Sequence, residues 1–209
     1  MRIFVLTTGR AASTTFAQAC VHLEGMTASH ESRSQLIEGR LDYPDNHVEV
    51  DNRLAWFLGS LDRLYDDADT FYVWLRRDRA AVSQSYSKRW FVRQSLVRAF
   101  HHGILMRKGV PTAPERLDSC DLCMRTIEDN IEFFLKGRSN SCVVTVENLQ
   151  EDFQRFVQRV GLPCDLERAL AALTVVTNLN KGAGRAGSNG RARRLWRAVK
   201  RLPEYFREQ

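Results

Sequence analysis

MRIFVLTTGRAASTTFAQAC, residues Met1 to Cys20, changes character twice. Ile3, Phe4, Val5 and Leu6 are a short, wholly apolar run, the pattern of a strand buried on both faces. Thr7 to Thr15 are small or hydroxyl-bearing apart from Arg10. Phe16, Cys20 and Leu23 then recur at helical spacing. A strand, a tight small-residue turn and a helix aim several backbone N–H groups and a helix N-terminus at one point, where an anion binds. Arg10 places a fixed positive charge inside the turn, and Ser13, Thr14 and Thr15 add hydroxyl donors. With Gly9 as its only glycine and no lysine, the turn does not satisfy the Walker A pattern. Taken alone, it also fits a tight turn whose Ser and Thr cap a helix.

Downstream, Met26 to Ser32 reads as a second strand with a polar tip at His30-Glu31, and Ser34 to Asp45 as a surface loop. His47 to Asp51 alternates as a strand does. Asn52 begins a helix in which Leu54, Phe57, Leu58, Leu61 and Leu64 repeat at three and four residues. Thr70 to Leu75 (TFYVWL) is the strongest strand signal, β-branched and aromatic. After a basic turn and another helix, Pro111 and Pro114 mark a loop. The spacing predicts a helix from Asp118 to Lys136 with Leu122, Ile127, Ile131 and Phe134 inward. A strand over Ser141–Val146 follows, then a helix over Glu147–Val160 that stops at Gly161 and Pro163. Strands and helices alternate with short connections. That predicts an α/β fold with three layers and a mostly parallel, doubly wound sheet. Ligands of such sheets lie outside the carboxyl ends of the strands. The loop after Leu6, the His30-Glu31 tip and the turns after Val50 and Leu75 should meet there.

The turn after Leu75 reads RRDRAAVSQSY, Arg76 to Tyr86. Arg77 at the strand end and Ser85 two helical turns later can hold one phosphate from two sides. The two turns together resemble the donor-binding motifs of sulfotransferases that use 3′-phosphoadenosine-5′-phosphosulfate (PAPS). In that family a strand runs into a basic residue, two small residues and a Ser/Thr pair. Arg10, Ala11, Ala12, Ser13 and Thr14 fill those positions, with Ala12 where glycine is usual. The family's R-[DN]-P-x-x-x-x-x-S pattern matches at Arg77, Asp78 and Ser85, with Arg79 in place of the proline. Val144-Thr-Val-Glu147-Asn-Leu149, Phe153, Phe156 and Gly161-Leu-Pro163 are similar to a later strand, E-x-L, helix and G-L-P, and read as architectural. Lys181-Gly182 resembles the segment that closes over the donor's 3′-phosphate, and reads equally well as a Gly-rich linker.

This resemblance implies a P-loop nucleoside-kinase-like sulfotransferase fold over residues 1–180, with PAPS as sulfuryl donor and no metal. The implied donor-binding residues are Gly9, Arg10, Ala11, Ala12, Ser13, Thr14, Thr15, Arg77, Ser85, Lys181 and Gly182. Transfer to an acceptor hydroxyl needs a general base. Glu31 is the first candidate, because sugar sulfotransferases often place a glutamate there. His30 is the second, with the more convenient intrinsic pKa. Arg10 is suited to charge developing on the leaving nucleotide. Glu49 and Asp51 are further acidic candidates. Many relatives carry a lysine in this region (E-K-x-P), where this chain has Val50 and Asp51. A carbohydrate or glycolipid hydroxyl is the expected acceptor. Trp56, Trp74, Trp90 and Phe91 would line an aromatic platform for it or else belong to the core.

Charge narrows the classes. The net charge is +6, yet Lys181 to Gln209 holds nine Lys/Arg against two Glu, leaving the first 180 residues one charge negative. Within the basic C-terminal segment 181–209, Leu195, Val199, Leu202 and Phe206 at spacings of four, three and four mark an amphipathic helix from Arg191 to Phe206. It is expected to pack on the domain, with peripheral contact to an anionic membrane as the alternative. A nucleic-acid-binding protein is disfavoured by the near-neutral body and the lack of a recognised motif. A kinase with a divergent P-loop is disfavoured by the missing lysine. Apolar runs fall short of the roughly 20 residues that span a bilayer, and the first strand leaves no room for a leader, so a cytoplasmic protein is expected. Cys120-x-x-Cys123 lacks a second pair or nearby His, which suits ordinary thiols better than a metal site.

Overall fold

The computed structural model describes residues 1–174 apart from Asp66 and Arg93. Lys181, Gly182 and the basic helix expected within 181–209 therefore lie outside the described residues. Five parallel strands form one sheet in the order β2-β3-β1-β4-β5: β1 (Arg2–Thr7), β2 (Thr27–His30), β3 (His47–Val50), β4 (Thr70–Arg76) and β5 (Ser141–Thr145). The central strand, β1, pairs with β3 from Arg2↔His47 to Val5↔Val50 and with β4 from Arg2↔Thr70 to Thr7↔Leu75. The expected three-layer, doubly wound α/β architecture is what the chain adopts.

Alternation along the strands sorts the core into two halves. Ile3, Val5, Val73 and Leu75 pack under α1 (Ser13–Cys20), α6 (Leu149–Val160) and α7 (Leu166–Thr174). Phe4, Leu6, Tyr72 and Trp74 face α2 (Leu58–Tyr65), α3 (Arg79–Lys88), α4 (Leu96–Ala99) and α5 (Ala113–Leu135). Phe16 anchors the first half, its ring 5.5 Å from Phe153 and 5.7 Å from Phe156. Truncating such a fully buried aromatic to alanine costs about 3–5 kcal/mol.

Local chemistry sets the element ends. Thr112 and Glu115 form a reciprocal capping box that starts α5, with Pro114 inside its first turn. The helix therefore begins five residues before the expected Asp118, since proline at this end removes only an N–H without an intrahelical partner. The helix expected from Asn52 is instead a 3₁₀ turn over Asn52–Trp56, opened by the Asp51 side chain accepting from the Arg53 N–H at 2.8 Å. Phe57 breaks it before α2, and Leu64 faces solvent rather than the core. Gly161 adopts φ +67° and ends α6. Pro163 then offers its carbonyl to the Glu24 N–H at 2.9 Å, tying this segment to the turn after α1. Asp152 on α6 accepts from both the N–H and the hydroxyl of Thr145 at 2.7 Å, fixing β5 to its following helix. The Glu147 and Gly-Leu-Pro segment is thus architectural, as its pattern implied.

All five cysteines are free thiols, and Cys120 and Cys123 are buried on α5. Among the described residues no helix is long and apolar enough to cross a membrane.

Candidate active site

The carboxyl ends of β1, β2, β3 and β4 meet, as the parallel topology requires. The loop after β1 adopts an unusual backbone. Gly9, Arg10 and Ala12 have φ of +77°, +57° and +56°. Left-handed conformation costs a non-glycine residue roughly 1–2 kcal/mol, so Arg10 and Ala12 are held there by their surroundings, a condition that clusters at binding sites. Gly9 cannot be replaced, because an added Cβ would lie 2.5 Å from Tyr86 Oη and 2.8 Å from Asn52 Nδ2. The Tyr86 hydroxyl donates to the Thr8 carbonyl at 2.9 Å and accepts from Asn52 Nδ2 at 3.4 Å. Burial pushes that phenol up to about 12, so it stays protonated as the donor. Tyr86 and Asn52 therefore clamp the loop in its bent shape.

The two sequence motifs touch each other. Arg10 Nε donates to Ser85 Oγ at 3.1 Å, and Arg77 Nη1 donates to the Arg10 carbonyl at 3.0 Å. Asp78 caps α3 by accepting from the Ala81 N–H at 2.8 Å, and its own N–H donates to Glu147 at 3.0 Å. Arg79, at the position of the family's proline, points away. It pairs with Asp121 at 3.2 Å and Glu128 at 3.3 Å, joining α3 to α5.

Arg10 is lowered from its ordinary value, first by burial and next by the guanidinium of Arg89, with Arg77 adding a smaller effect. Arg89 caps the C-terminus of α3, one helical turn beyond Ser85. None of Arg10, Arg77 and Arg89 pairs with a carboxylate among the described residues. Arg10, with Arg89 and Arg77 as cationic neighbours, lies beside hydroxyls and a loop of bent backbone, an arrangement whose charge suits a polyanion.

The tip of β2 closes the other side. His30 Nε2 lies 2.9 Å from Ser13 Oγ, placing the imidazole against the loop. Glu31, at φ +53°, is bound by Arg53 Nη1 at 3.0 Å. Of the two base candidates, His30 is the one that touches the anion loop and Glu31 the one already ion-paired. Glu49 and Asp51, named as further acidic candidates, are fully buried. Glu49 accepts from the Ser32 N–H at 2.9 Å, the Ser32 hydroxyl at 2.5 Å and His47 at 3.2 Å. Asp51 pairs with Arg40 at 2.5 Å. Both act as internal braces, not as exposed bases. Among the proposed platform residues, Trp74 and Trp90 belong to the core, and only Trp56 and Phe91 reach the surface.

Of the residues singled out in the sequence, the structure brings Arg10, Arg77 and Ser85 into contact. Sequence reasoning missed Arg89, Asn52, Tyr86 and Arg53. The i+4 spacing from Ser85 was the available signal for Arg89. Nothing local announces the others, which act across distant segments.

Among the described residues no group of three or more His, Cys, Asp or Glu is placed to hold a metal.

Searches with protein-family models and among curated proteins return no match. Solved structures do resemble the chain. One is titled the sulfotransferase domain from the curacin biosynthetic pathway. It has a TM-score of 0.57 and 14% identity, over 79% of this chain and 75% of that one. Another is titled the sulfotransferase domain from the Synechococcus PCC 7002 olefin synthase. Its TM-score is 0.54 at 14% identity, over 86% of this chain and 82% of that one. These neighbours show that this chain has a sulfotransferase-like α/β fold.

Proposed function

We propose that the protein is a sulfotransferase that takes a sulfuryl group from PAPS and transfers it to an acceptor hydroxyl. The observation that carries this reading is the junction of the two motifs, where Arg10, Arg77 and Ser85 share hydrogen bonds with no carboxylate to neutralise them. A nucleotide bearing phosphates at both the 3′ and 5′ positions supplies the negative charge that such a junction lacks. Bound PAPS would bring an activated sulfuryl group whose transfer needs no metal.

The chain's own residues divide the remaining work. Gly9 to Thr15 would hold the 5′ end, with backbone N–H groups and the hydroxyls of Ser13, Thr14 and Thr15 as donors. Arg77 and Ser85 would hold the 3′-phosphate. Arg10, half-buried between them, would supply fixed positive charge to a developing anion without reorganisation. His30 is the proposed base. When the Ser13 hydroxyl turns its hydrogen to the bound donor, His30 Nε2 is released from it and its lone pair can take a proton from an acceptor hydroxyl. Glu31 then orients the rim through Arg53 rather than accepting the proton itself. A carbohydrate or glycolipid is the proposed acceptor, and the cytoplasm the proposed location.

Isothermal titration with 3′-phosphoadenosine-5′-phosphate, against ATP–Mg²⁺, tests the donor. Micromolar binding of the bisphosphate that is lost in Arg77→Ala is the expected result. Preference for ATP–Mg²⁺ would overturn the reading in favour of a kinase.

A further inference from the structure

We propose that Arg89 is a third arm of the phosphate cradle, gripping the bound nucleotide together with Arg10 and Arg77. The proposal rests on the donor reading above for its ligand, a nucleoside 3′,5′-bisphosphate, and on independent geometry for its residue.

Arg89 follows Ser85 by four positions across the last turn of α3, so the two side chains leave the helix on one face. Ser85 Oγ is where Arg10 Nε lands, at 3.1 Å. The face of α3 that carries Arg89 is therefore the face that touches the anion loop. Arg89 is half-buried and, among the described residues, has no carboxylate partner. Its neighbours on the next positions behave differently. Trp90 enters the core, and Tyr86 turns inward to clamp Gly9.

A cation at this place has one purely structural use. The C-terminus of a helix favours positive charge, a modest effect that any point charge supplies. That use explains a lysine as well as an arginine, and it does not explain why the cation shares a helix face with the Ser85 hydroxyl that Arg10 reaches. An anion bound on this face would offset the repulsion that Arg10 feels from Arg89 and Arg77. A guanidinium also offers a planar fork that matches two phosphate oxygens at once, which an ammonium cannot do.

The test uses the full chain and its Arg89→Ala and Arg89→Lys variants, titrated with 3′-phosphoadenosine-5′-phosphate and, separately, with inorganic pyrophosphate. Unfolding midpoints are recorded for all three proteins. The expected result is a 10- to 100-fold loss of bisphosphate affinity in Arg89→Ala, the range for a hydrogen bond to a charged group. Arg89→Lys should recover part of that loss, and all three midpoints should agree. Arg89→Ala binding within twofold of wild type, while Arg77→Ala fails, would overturn the proposal and leave the donor reading standing. Wild type binding pyrophosphate but not the bisphosphate would sink the donor reading instead. The cradle would then survive if Arg89→Ala weakened pyrophosphate at least tenfold. Wild type binding neither ligand would remove both.

Discussion

Two groups of arginines flank the carboxyl edge of the sheet, and they are wired in opposite ways. On the β2–β3 side, Arg40 is paired to buried Asp51 and Arg53 to Glu31. On the β1–β4 side, Arg10 meets the Ser85 hydroxyl, Arg77 the Arg10 carbonyl, and neither they nor Arg89 pair with a carboxylate among the described residues. The first group holds the protein together, because each charge already has its partner. The second is costly to keep until an anion arrives. Pairing, rather than the mere presence of arginine, separates scaffold from site.

Substitutions on each side should therefore fail in different ways. Asp51→Ala strands the buried Arg40 guanidinium and should destabilise the fold by about 3–5 kcal/mol, read by urea unfolding. An unchanged midpoint would show that Arg40 finds solvent. Arg77→Ala should leave stability within about 0.5 kcal/mol while bisphosphate binding falls at least tenfold. A comparable loss of stability would erase the contrast between the two sides.

Glu49 sharpens the comparison through pH. Burial pushes its carboxyl up, but hydrogen bonds from His47 and Ser32 outweigh that and hold it below its ordinary value. Its ionised form therefore adds stability above the unfolded pKa of about 4.3, and that stability drains away as pH falls through the lowered folded value. Glu49→Gln should flatten this acid limb of the stability curve. An acid limb identical to wild type would show that the brace contributes nothing. The smallest effect belongs to Ala12→Gly. Relieving left-handed strain of roughly 1–2 kcal/mol at φ +56°, less the roughly 0.4–1 kcal/mol that glycine's unfolded-state freedom costs, should give a small net gain, visible as a higher melting temperature. A lower one would mean that the alanine methyl is needed for packing.

Most of the architecture was legible in local pattern. The apolar runs of β1 and β4, buried on both faces, specify parallel strands without any knowledge of their neighbours. Gly9, Arg10, Arg77 and Ser85 were singled out because their types and spacing resemble a family's donor-binding motifs; read alone, the first turn also suits a helix cap. Glu49 and Asp51 misled for a physical reason: an acidic residue near a strand end looks the same whether it faces water or a buried arginine. Asp51 is separated from Arg40 by 11 positions, and Glu49 from Ser32 by 17. Tyr86 and Asn52 act on Gly9 across the fold, so their role exists only once the sheet has formed. The helix α7 escaped notice because it is short, although its start carries a signal, the Asp165 side chain accepting from the Arg168 N–H at 3.2 Å.

The bond between Arg10 and Ser85 joins residues 75 positions apart. Until β1 and β4 have paired, the polyanion site does not exist in any partial form, so ligand capture reports the completion of folding. A ligand that recognises only the finished molecule withdraws it from the unfolding equilibrium, adding about 2.7 kcal/mol at a hundredfold excess over Kd. The nucleotide would then act as a folding partner as well as a reactant, and the protein's lifetime in the cell would follow its supply.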